Sequence, residues 1–139
     1  MRRKLAATAG TLATGLTLVL SAPGSAHAET TSGYVTCTTT GAYGEYFYSN
    51  YSGPGATINV QMSLTDTLAD GNSVRVRMMS KDVNGAVTYY QWRANAGGAN
   101  TTKKWTTTAS HARGLFDIGI QVARFNSDGT LRNSCAQWS

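Results

Sequence analysis

Two cysteines constrain the fold of this 139-residue chain more than any other feature of its sequence. Cys37 and Cys135 are the only ones, and their wide separation is unlike the close spacing of metal-binding and redox motifs. In an oxidising compartment two cysteines allow one intramolecular pairing, here closing a loop of about 100 residues. The sequence therefore predicts a Cys37–Cys135 disulfide and a fold that brings these two positions together.

The start of the chain has the pattern of an export signal. A basic segment, Arg2-Arg3-Lys4, precedes an apolar stretch from Leu5 to Leu20, and Ala26-His27-Ala28 forms a small-x-small end. The alternative is a membrane anchor, but about 16 residues at 1.5 Å each are too short for a hydrocarbon core of about 30 Å. The sequence predicts a signal peptide over residues 1–28 and a single secreted domain over residues 29–139.

Removal of the signal peptide changes the charge of the protein. The full chain carries 12 basic and 7 acidic residues, for a net charge of +5. Three of the basic residues lie in the predicted signal, so the mature domain has a net charge of about +2. Nucleic-acid binding depends on neutralising many phosphates, and this charge is low for that role. We therefore expect neither a nucleic-acid partner nor a membrane partner after export.

Apolar residues alternate with polar ones along several segments of the predicted domain. Ile58–Leu64, Val74–Met78 and Phe116–Val122 each show a period of two, which is typical of antiparallel strands with one packed face. The pattern favours an all-β antiparallel sandwich of about eight short strands, and a small closed barrel is the alternative. The predicted strands are 33–40, 44–51, 56–66, 73–81, 86–94, 102–108, 115–125 and 130–138.

Two turns fix the register of neighbouring strands. A three-residue loop, Val83-Asn84-Gly85, places apolar residues opposite one another, with Val76 facing Trp92. This register buries Trp92. A two-residue Asp128-Gly129 turn places Val122 opposite Cys135, which puts the disulfide at the edge of the core. The first register also predicts an outer face that carries Arg75, Arg77, Met79, Tyr89, Gln91 and Arg93.

The sequence carries no motif that is typical of a hydrolase. His111 is the one histidine of the predicted domain and lies between two strands among small polar residues, where an exposed loop position is expected. Asp70 and Asp128 each adjoin a turn glycine and are expected to hydrogen-bond their own backbone. The alternative is a small secreted hydrolase that uses Glu45 with Asp117 or His111. We expect a non-catalytic protein with no cofactor and no metal ion.

Aromatic residues make a binding role the leading hypothesis. Tyrosine offers a rigid ring with a polar tip, which suits the recognition of proteins and sugars. We expect a monomer that binds a protein or a polysaccharide, and the remaining alternative is a structural component of the cell surface. The candidate binding residues are Tyr43, Tyr46, Tyr48, Tyr51 and Trp105, together with Arg75, Arg77 and Arg93 on the predicted outer face.

Three segments carry a resemblance to known proteins. They are Leu64–Gly71, Gly119–Phe125 and the ending Ser134–Trp138, and they accompany a single distant cysteine pair. In these features the chain resembles small secreted actinobacterial proteins, over the whole predicted domain. The resemblance implies secretion and implies no particular activity.

Overall fold

The computed structural model describes residues 29–139, and the predicted signal peptide, residues 1–28, lies outside them. The described residues form nine β-strands, one more than the sequence predicts. The strands are β1 (Thr31–Thr39), β2 (Ala42–Tyr51), β3 (Ile58–Asp66), β4 (Ser73–Lys81), β5 (Val87–Tyr89), β6 (Arg93–Asn95), β7 (Thr102–Ala109), β8 (Asp117–Phe125) and β9 (Leu131–Trp138).

The strands pair into two antiparallel sheets. Sheet A has the order β1-β2-β3-β7, and sheet B has the order β5-β4-β8-β9, with β6 also paired to β4. Strand pairing ends at the edge of each sheet, so residues 29–139 do not close into a barrel. The prediction of an all-β antiparallel sandwich is confirmed, and the barrel alternative is wrong.

The core lies between the two sheets and follows from the alternation in the sequence. In β3, for example, Ile58, Val60 and Leu64 are fully buried, while Asn59 and Gln61 point to solvent. Each fully buried aliphatic side chain contributes about 1.5–3 kcal/mol to folding, which fixes the face that each strand turns inward. The other fully or almost fully buried hydrophobic side chains of the core are Val35, Cys37, Ala42, Tyr46, Met62, Val74, Val76, Met78, Ala109, Leu115, Ile118, Ile120 and Val122.

The predicted disulfide is present and joins the two sheets. Cys37 lies on β1 and Cys135 on β9, the strands that form adjacent edges of sheets A and B, and their Cα atoms are 5.9 Å apart. A disulfide of this kind is typical of an oxidising environment. The bond therefore closes one side of the sandwich covalently, whereas on the opposite side Asn95 of β6 donates a hydrogen bond to the Leu64 carbonyl of β3.

An ion pair is buried at one end of the sandwich. The side chain of Arg124 is 2% exposed, and its Nη2 atom pairs with a carboxylate oxygen of Asp70. Its Nη1 atom donates to the carbonyl oxygen of Thr40 at 2.9 Å. Gly41 has a positive φ of 83°, and a Cβ there would lie 2.6 Å from Nε of Arg124. Glycine at this turn therefore makes room for the guanidinium.

The β4–β5 hairpin confirms one register prediction and corrects another. The N–H of Asp82 donates to the carbonyl of Ala86, and Gly85 has a φ of 76°, as expected for the three-residue loop. One extra residue then interrupts the pairing after β5, so Val76 pairs with Arg93 and not with Trp92. A shift of one residue reverses the two faces of a strand. The single strand predicted over 86–94 is therefore split into β5 and β6.

The β8–β9 hairpin reaches the predicted pairing by a different turn. Val122 lies opposite Cys135 as predicted. The loop has three residues and not two, since the N–H of Asn126 donates to the carbonyl of Thr130. A bulge beside Arg124 compensates for the extra residue.

Candidate functional site

Cations and aromatic rings are interleaved on the outer side of sheet B. We call this set the cation–aromatic face. At its centre, the guanidinium carbon of Arg77 lies 4.0 Å from the ring centroid of Tyr89 and 4.2 Å from that of Trp92. Cation–π contacts of this kind contribute about 0.5–2 kcal/mol each, more when they are shielded from water. The members of the face are Arg75, Arg77, Lys81, Tyr89, Trp92, Phe125 and Trp138.

The stack continues on both sides of Arg77. Arg75 lies over the ring of Phe125 at 4.3 Å, and Trp92 meets the same ring edge-on with centroids 5.5 Å apart. Lys81 lies 4.1 Å from the ring of Trp138 and forms an ion pair with Asp117 at 2.5 Å. Each cation of the face therefore lies against at least one aromatic ring.

The strand geometry of β4 explains why these cations share one face. Val74, Val76 and Met78 point into the core, so the residues between them, Arg75 and Arg77, point outward. β4 lies between β5/β6 and β8, and aromatic side chains of its neighbours flank both arginines. The alternation predicted from sequence therefore positions Arg75 and Arg77 as expected.

Specific contacts hold the central residues in place. The Nε atom of Arg77 donates to Oε1 of Gln121 at 2.8 Å. Burial lowers the pKa of Arg77, although a guanidinium remains charged in proteins. Further along the face, a Cβ at Gly119 would lie 2.8 Å from the indole of Trp138. Glycine at this position therefore lets the indole lie flat on the sheet.

A buried aspartate organises the hairpin that presents Tyr89. Oδ1 of Asp82 accepts the N–H groups of Asn84 and Ala86 at 2.9 and 3.0 Å, and Oδ2 pairs with Arg113 at 2.7 Å. Burial alone would raise the pKa of Asp82, but the two N–H donors and the Arg113 guanidinium lower it below its ordinary value. The carboxylate form therefore stabilises this turn.

The Asp82 contacts predict a dependence of stability on pH. Because the folded-state pKa lies below the unfolded value of about 3.9, the carboxylate stabilises the fold above about pH 4, and this contribution is lost as the pH falls through the folded-state pKa. Urea denaturation of the wild type and of Asp82→Asn should therefore differ most near pH 6, and the difference should be smaller near pH 2. An equal difference at both values would contradict the assignment.

A second polar site lies on the outer side of sheet A. Glu45 accepts hydrogen bonds from the hydroxyls of Ser63 at 2.7 Å, Tyr34 at 2.8 Å and Tyr43 at 3.1 Å. The Ser63 bond and then the Tyr34 bond lower the pKa of Glu45 below its ordinary value. The carboxylate borders a groove of about 230 Å³. A general acid needs a raised pKa, so Glu45 is held in the opposite state.

The three residues of the hydrolase hypothesis lie apart. Asp117 is on the outer side of sheet B, whereas Glu45 is on the outer side of sheet A. His111 is half-buried beside β5, where its Nε2 atom lies 3.2 Å from the Thr88 hydroxyl and its Nδ1 atom accepts the N–H of Arg113. The structure therefore does not bring Glu45 into one cleft with Asp117 or His111.

The tyrosines that the sequence singles out do not form one surface. Tyr46 is 0% exposed and lies in the core, so its prediction as a surface binding residue is wrong. Tyr48 and Tyr51 are half-buried and stack edge-on, with the Tyr51 hydroxyl bonded to the Leu115 carbonyl. Tyr43 points to the outer side of sheet A. The cluster is divided because successive residues of a strand face opposite sides.

Two further candidates also lie away from the cation–aromatic face. Trp105 pairs with the core residue Met62 and is partly buried against the core. Arg93 pairs with Val76 and lies at the groove between β6 and β7. The prediction that Arg93 shares the outer face of Arg75 and Arg77 is wrong, because the extra residue before β6 turns its side chain inward.

Of the aromatic rings of the cation–aromatic face, the sequence predicts only that of Tyr89. The sequence predicts Trp92 in the core. The one-residue shift that turns it to the outer side of sheet B is not accompanied by a glycine or a proline, which would have indicated a break in the strand. Phe125 and Trp138 could have been placed by extending the β8–β9 register, which sets Trp138 opposite Gly119. The register of the β8–β9 hairpin is therefore the sequence feature from which the positions of Phe125 and Trp138 could have been predicted.

The described residues carry no further sign of a specific chemistry. No three histidine, cysteine or acidic side chains of residues 29–139 come together in a group that could hold a metal ion. In the same part of the chain, no helix is long and apolar enough to cross a membrane. A comparison of the chain with protein-family models gave no match, and neither did a comparison with curated proteins.

Proposed function

We propose that this protein is a secreted, non-catalytic β-sandwich that binds another protein through its cation–aromatic face. The observation that carries the proposal is the fixed position of Arg77 between Tyr89 and Trp92, at 4.0 and 4.2 Å, on the outer side of a sheet. Secretion is supported by the predicted signal peptide over residues 1–28 and by the Cys37–Cys135 disulfide.

The composition of the face favours a protein as the partner. Trp, Tyr and Arg are the residues that most often dominate the energy of protein–protein interfaces, and Lys, Glu and Asp are depleted at interface centres. The centre of the face holds Arg75, Arg77, Tyr89 and Trp92, whereas Asp117, an acid beside the face, is paired with Lys81. The face therefore has the residue types of an interface centre.

Preorganisation of the face supports the same conclusion. Ordering a long side chain on binding costs about 0.5–1.5 kcal/mol. Arg77 already has its plane fixed by two rings and its Nε atom bonded to Gln121. Binding through this residue therefore avoids most of the cost of ordering it.

A binding survey with a matched pair of variants tests the proposal. The domain secreted into the medium is titrated with a panel of exported proteins, including hydrolases, and with a glycan array. For the protein that binds, Tyr89→Ala is expected to weaken affinity by about tenfold or more. Tyr34→Ala is the control, because Tyr34 is 59% exposed on sheet A and Tyr89 is 53% exposed on sheet B. The control is expected to leave the affinity unchanged.

Three results would contradict the proposal. One is binding to glycans alone, and another is silence in both parts of the survey. The third is an equal loss of affinity in the Tyr89→Ala and Tyr34→Ala variants. Sedimentation of the purified domain is expected to show a monomer, whereas ordered self-assembly would favour the structural alternative.

A further inference from the structure

We propose that the partner presents two carboxylates on an extended segment and that Arg75 and Arg77 each bind one of them. This inference rests on the proposed function, because it identifies the partner of the same face. It concerns the Nη ends of the two guanidinium groups, which make no hydrogen bond within residues 29–139 and are not among the fully buried atoms without a partner.

The hydrogen bonds of the two arginines engage one end of each guanidinium. Nε of Arg77 donates to Gln121 at 2.8 Å, and Nε of Arg75 donates to the Ser73 hydroxyl at 3.4 Å. Among the described residues, no hydrogen bond or ion pair involves the Nη atoms of either arginine. Each guanidinium is therefore held by its Nε atom and by contact with at least one ring, and its two Nη atoms have no partner among the described residues.

Within the described part of the domain, some cations already have a carboxylate partner, and others, Arg75 and Arg77 among them, do not. Lys81, Arg113 and Arg124 each pair with a carboxylate of the domain itself. Arg75 and Arg77 have no such partner within residues 29–139. With Asp117 as the one acid beside them, the cation–aromatic face carries a net charge of about +2.

The Nη atoms of Arg75 and Arg77 have the geometry to bind a planar anion such as a carboxylate. A guanidinium with two free Nη atoms binds a carboxylate through two parallel hydrogen bonds, which are about twice as strong as neutral ones. Lysine cannot reproduce this geometry, because its ammonium is a single point of charge. A carboxylate of the partner therefore fits each arginine end-on.

The spacing of Arg75 and Arg77 along β4 matches a partner segment in an extended conformation. Arg75 and Arg77 are two residues apart on one strand, so their Cα atoms are about 6.6 Å apart on the same side of the sheet. Acidic residues at positions i and i+2 of an extended partner segment have the same spacing and also point to one side. Acids at i and i+1 point to opposite sides of such a segment and do not match.

Synthetic peptides of defined spacing test the inference on the intact secreted domain. Four threonine-rich peptides carry two Asp at i and i+2, two Asp at i and i+1, two Asp at i and i+4, or two Asn at i and i+2. Binding is followed by tryptophan fluorescence, to which Trp92, Trp105 and Trp138 contribute, and by calorimetry, up to millimolar peptide. The i,i+2 acidic peptide is expected to bind about tenfold or more tightly than the other three.

Variants of the domain separate charge from geometry. Arg77→Gln is expected to weaken binding of the i,i+2 peptide by about tenfold, and Arg77→Lys by nearly as much, because lysine keeps the charge but loses the two parallel bonds. Lys104→Gln, on the outer side of sheet A, removes one positive charge elsewhere and is expected to have no effect. Urea denaturation of each variant checks that the fold is retained.

Several outcomes would overturn the inference. They are equal binding of all acidic spacings, tighter binding of the i,i+4 peptide, no effect of Arg77→Gln, no binding at millimolar peptide, or tighter binding of polyuronate or oligothymidylate than of the acidic peptide. If a protein partner from the survey depends on Tyr89 but not on Arg75 or Arg77, the inference fails and the proposed function stands. If that partner depends on none of these residues, the proposed function fails.

Discussion

Replacing both cysteines, as in the Cys37→Ser/Cys135→Ser double variant, is expected to lower the free energy of unfolding by up to about 4.7 kcal/mol. The two cysteines are 98 residues apart along the chain. Removing a bond that closes so long a loop increases the conformational entropy of the unfolded chain more than removing a bond that closes a short loop. It also removes the covalent link between β1 and β9, the adjacent edges of the two sheets. Stabilities of domains of this size are about 5–15 kcal/mol, so the loss is a large fraction of the whole.

Urea denaturation at pH 7 measures this loss. Wild-type protein with its disulfide reduced is the control, and it should unfold at nearly the same urea concentration as the double variant. The dependence of unfolding free energy on urea should be steeper without the bond, because the unfolded chain exposes more surface. A loss below about 1 kcal/mol would contradict the prediction and would mean that the unfolded chain already keeps these ends together.

Asp70→Ala is expected to have the second largest effect, a loss of about 3 kcal/mol. The substitution leaves the guanidinium of Arg124 buried without its carboxylate, with the Thr40 carbonyl as its remaining acceptor. Removing one partner of a buried pair costs about 3–5 kcal/mol, and the lower end applies because Asp70 is partly exposed.

Two further variants isolate the ion pair from the turn. Asp128→Ala is the matched control, because Asp128 accepts the N–H of Thr130 just as Asp70 accepts the N–H of Asn72. The double variant Asp70→Ala/Arg124→Met removes the unpaired charge and should recover much of the lost stability. If Asp70→Ala lowers the free energy of unfolding by no more than Asp128→Ala does, the Asp70–Arg124 ion pair makes no contribution to stability.

The parts of the fold that follow from period and covalent connectivity could be predicted from the sequence. The alternation around Ile58 and Val74 identifies the packed face of each strand, and two cysteines allow only one internal pairing. The Asn84-Gly85 dipeptide identifies the position of the turn, and apolar pairing across it selects the three-residue loop, in which Gly85 adopts the left-handed conformation. These features depend on local sequence alone.

The cation–aromatic face could be predicted only in part, because it depends on a bulge. Arg75 and Arg77 follow from the alternation of β4, but Trp92 reaches the face through one extra residue between β5 and β6. The register predicted from sequence places Trp92 in the core opposite Val76, because it pairs apolar residues with apolar residues. The structure turns it outward, where Arg77 and Phe125 cover it.

The buried Arg124–Asp70 pair has no local signal at all. In sequence Asp70 resembles an ordinary turn aspartate, and it does accept the N–H of Asn72. Its second role arises from the tertiary arrangement, which brings the β1–β2 turn, the β3–β4 loop and β8 to one end of the sandwich. Contacts between elements far apart in the chain are not encoded in periodicity.

The position of the disulfide also determines how the domain transmits mechanical force. Cys37 and Cys135 lie on edge strands of different sheets, and together they enclose most of the described chain. Tension applied through the segments outside this loop passes from β1 to β9 through the covalent bond, so the strands between them carry no load. All seven residues of the cation–aromatic face except Trp138 lie inside the loop. The bond therefore keeps the rest of the cation–aromatic face folded under a pull on the two ends that would unravel an unlinked sandwich.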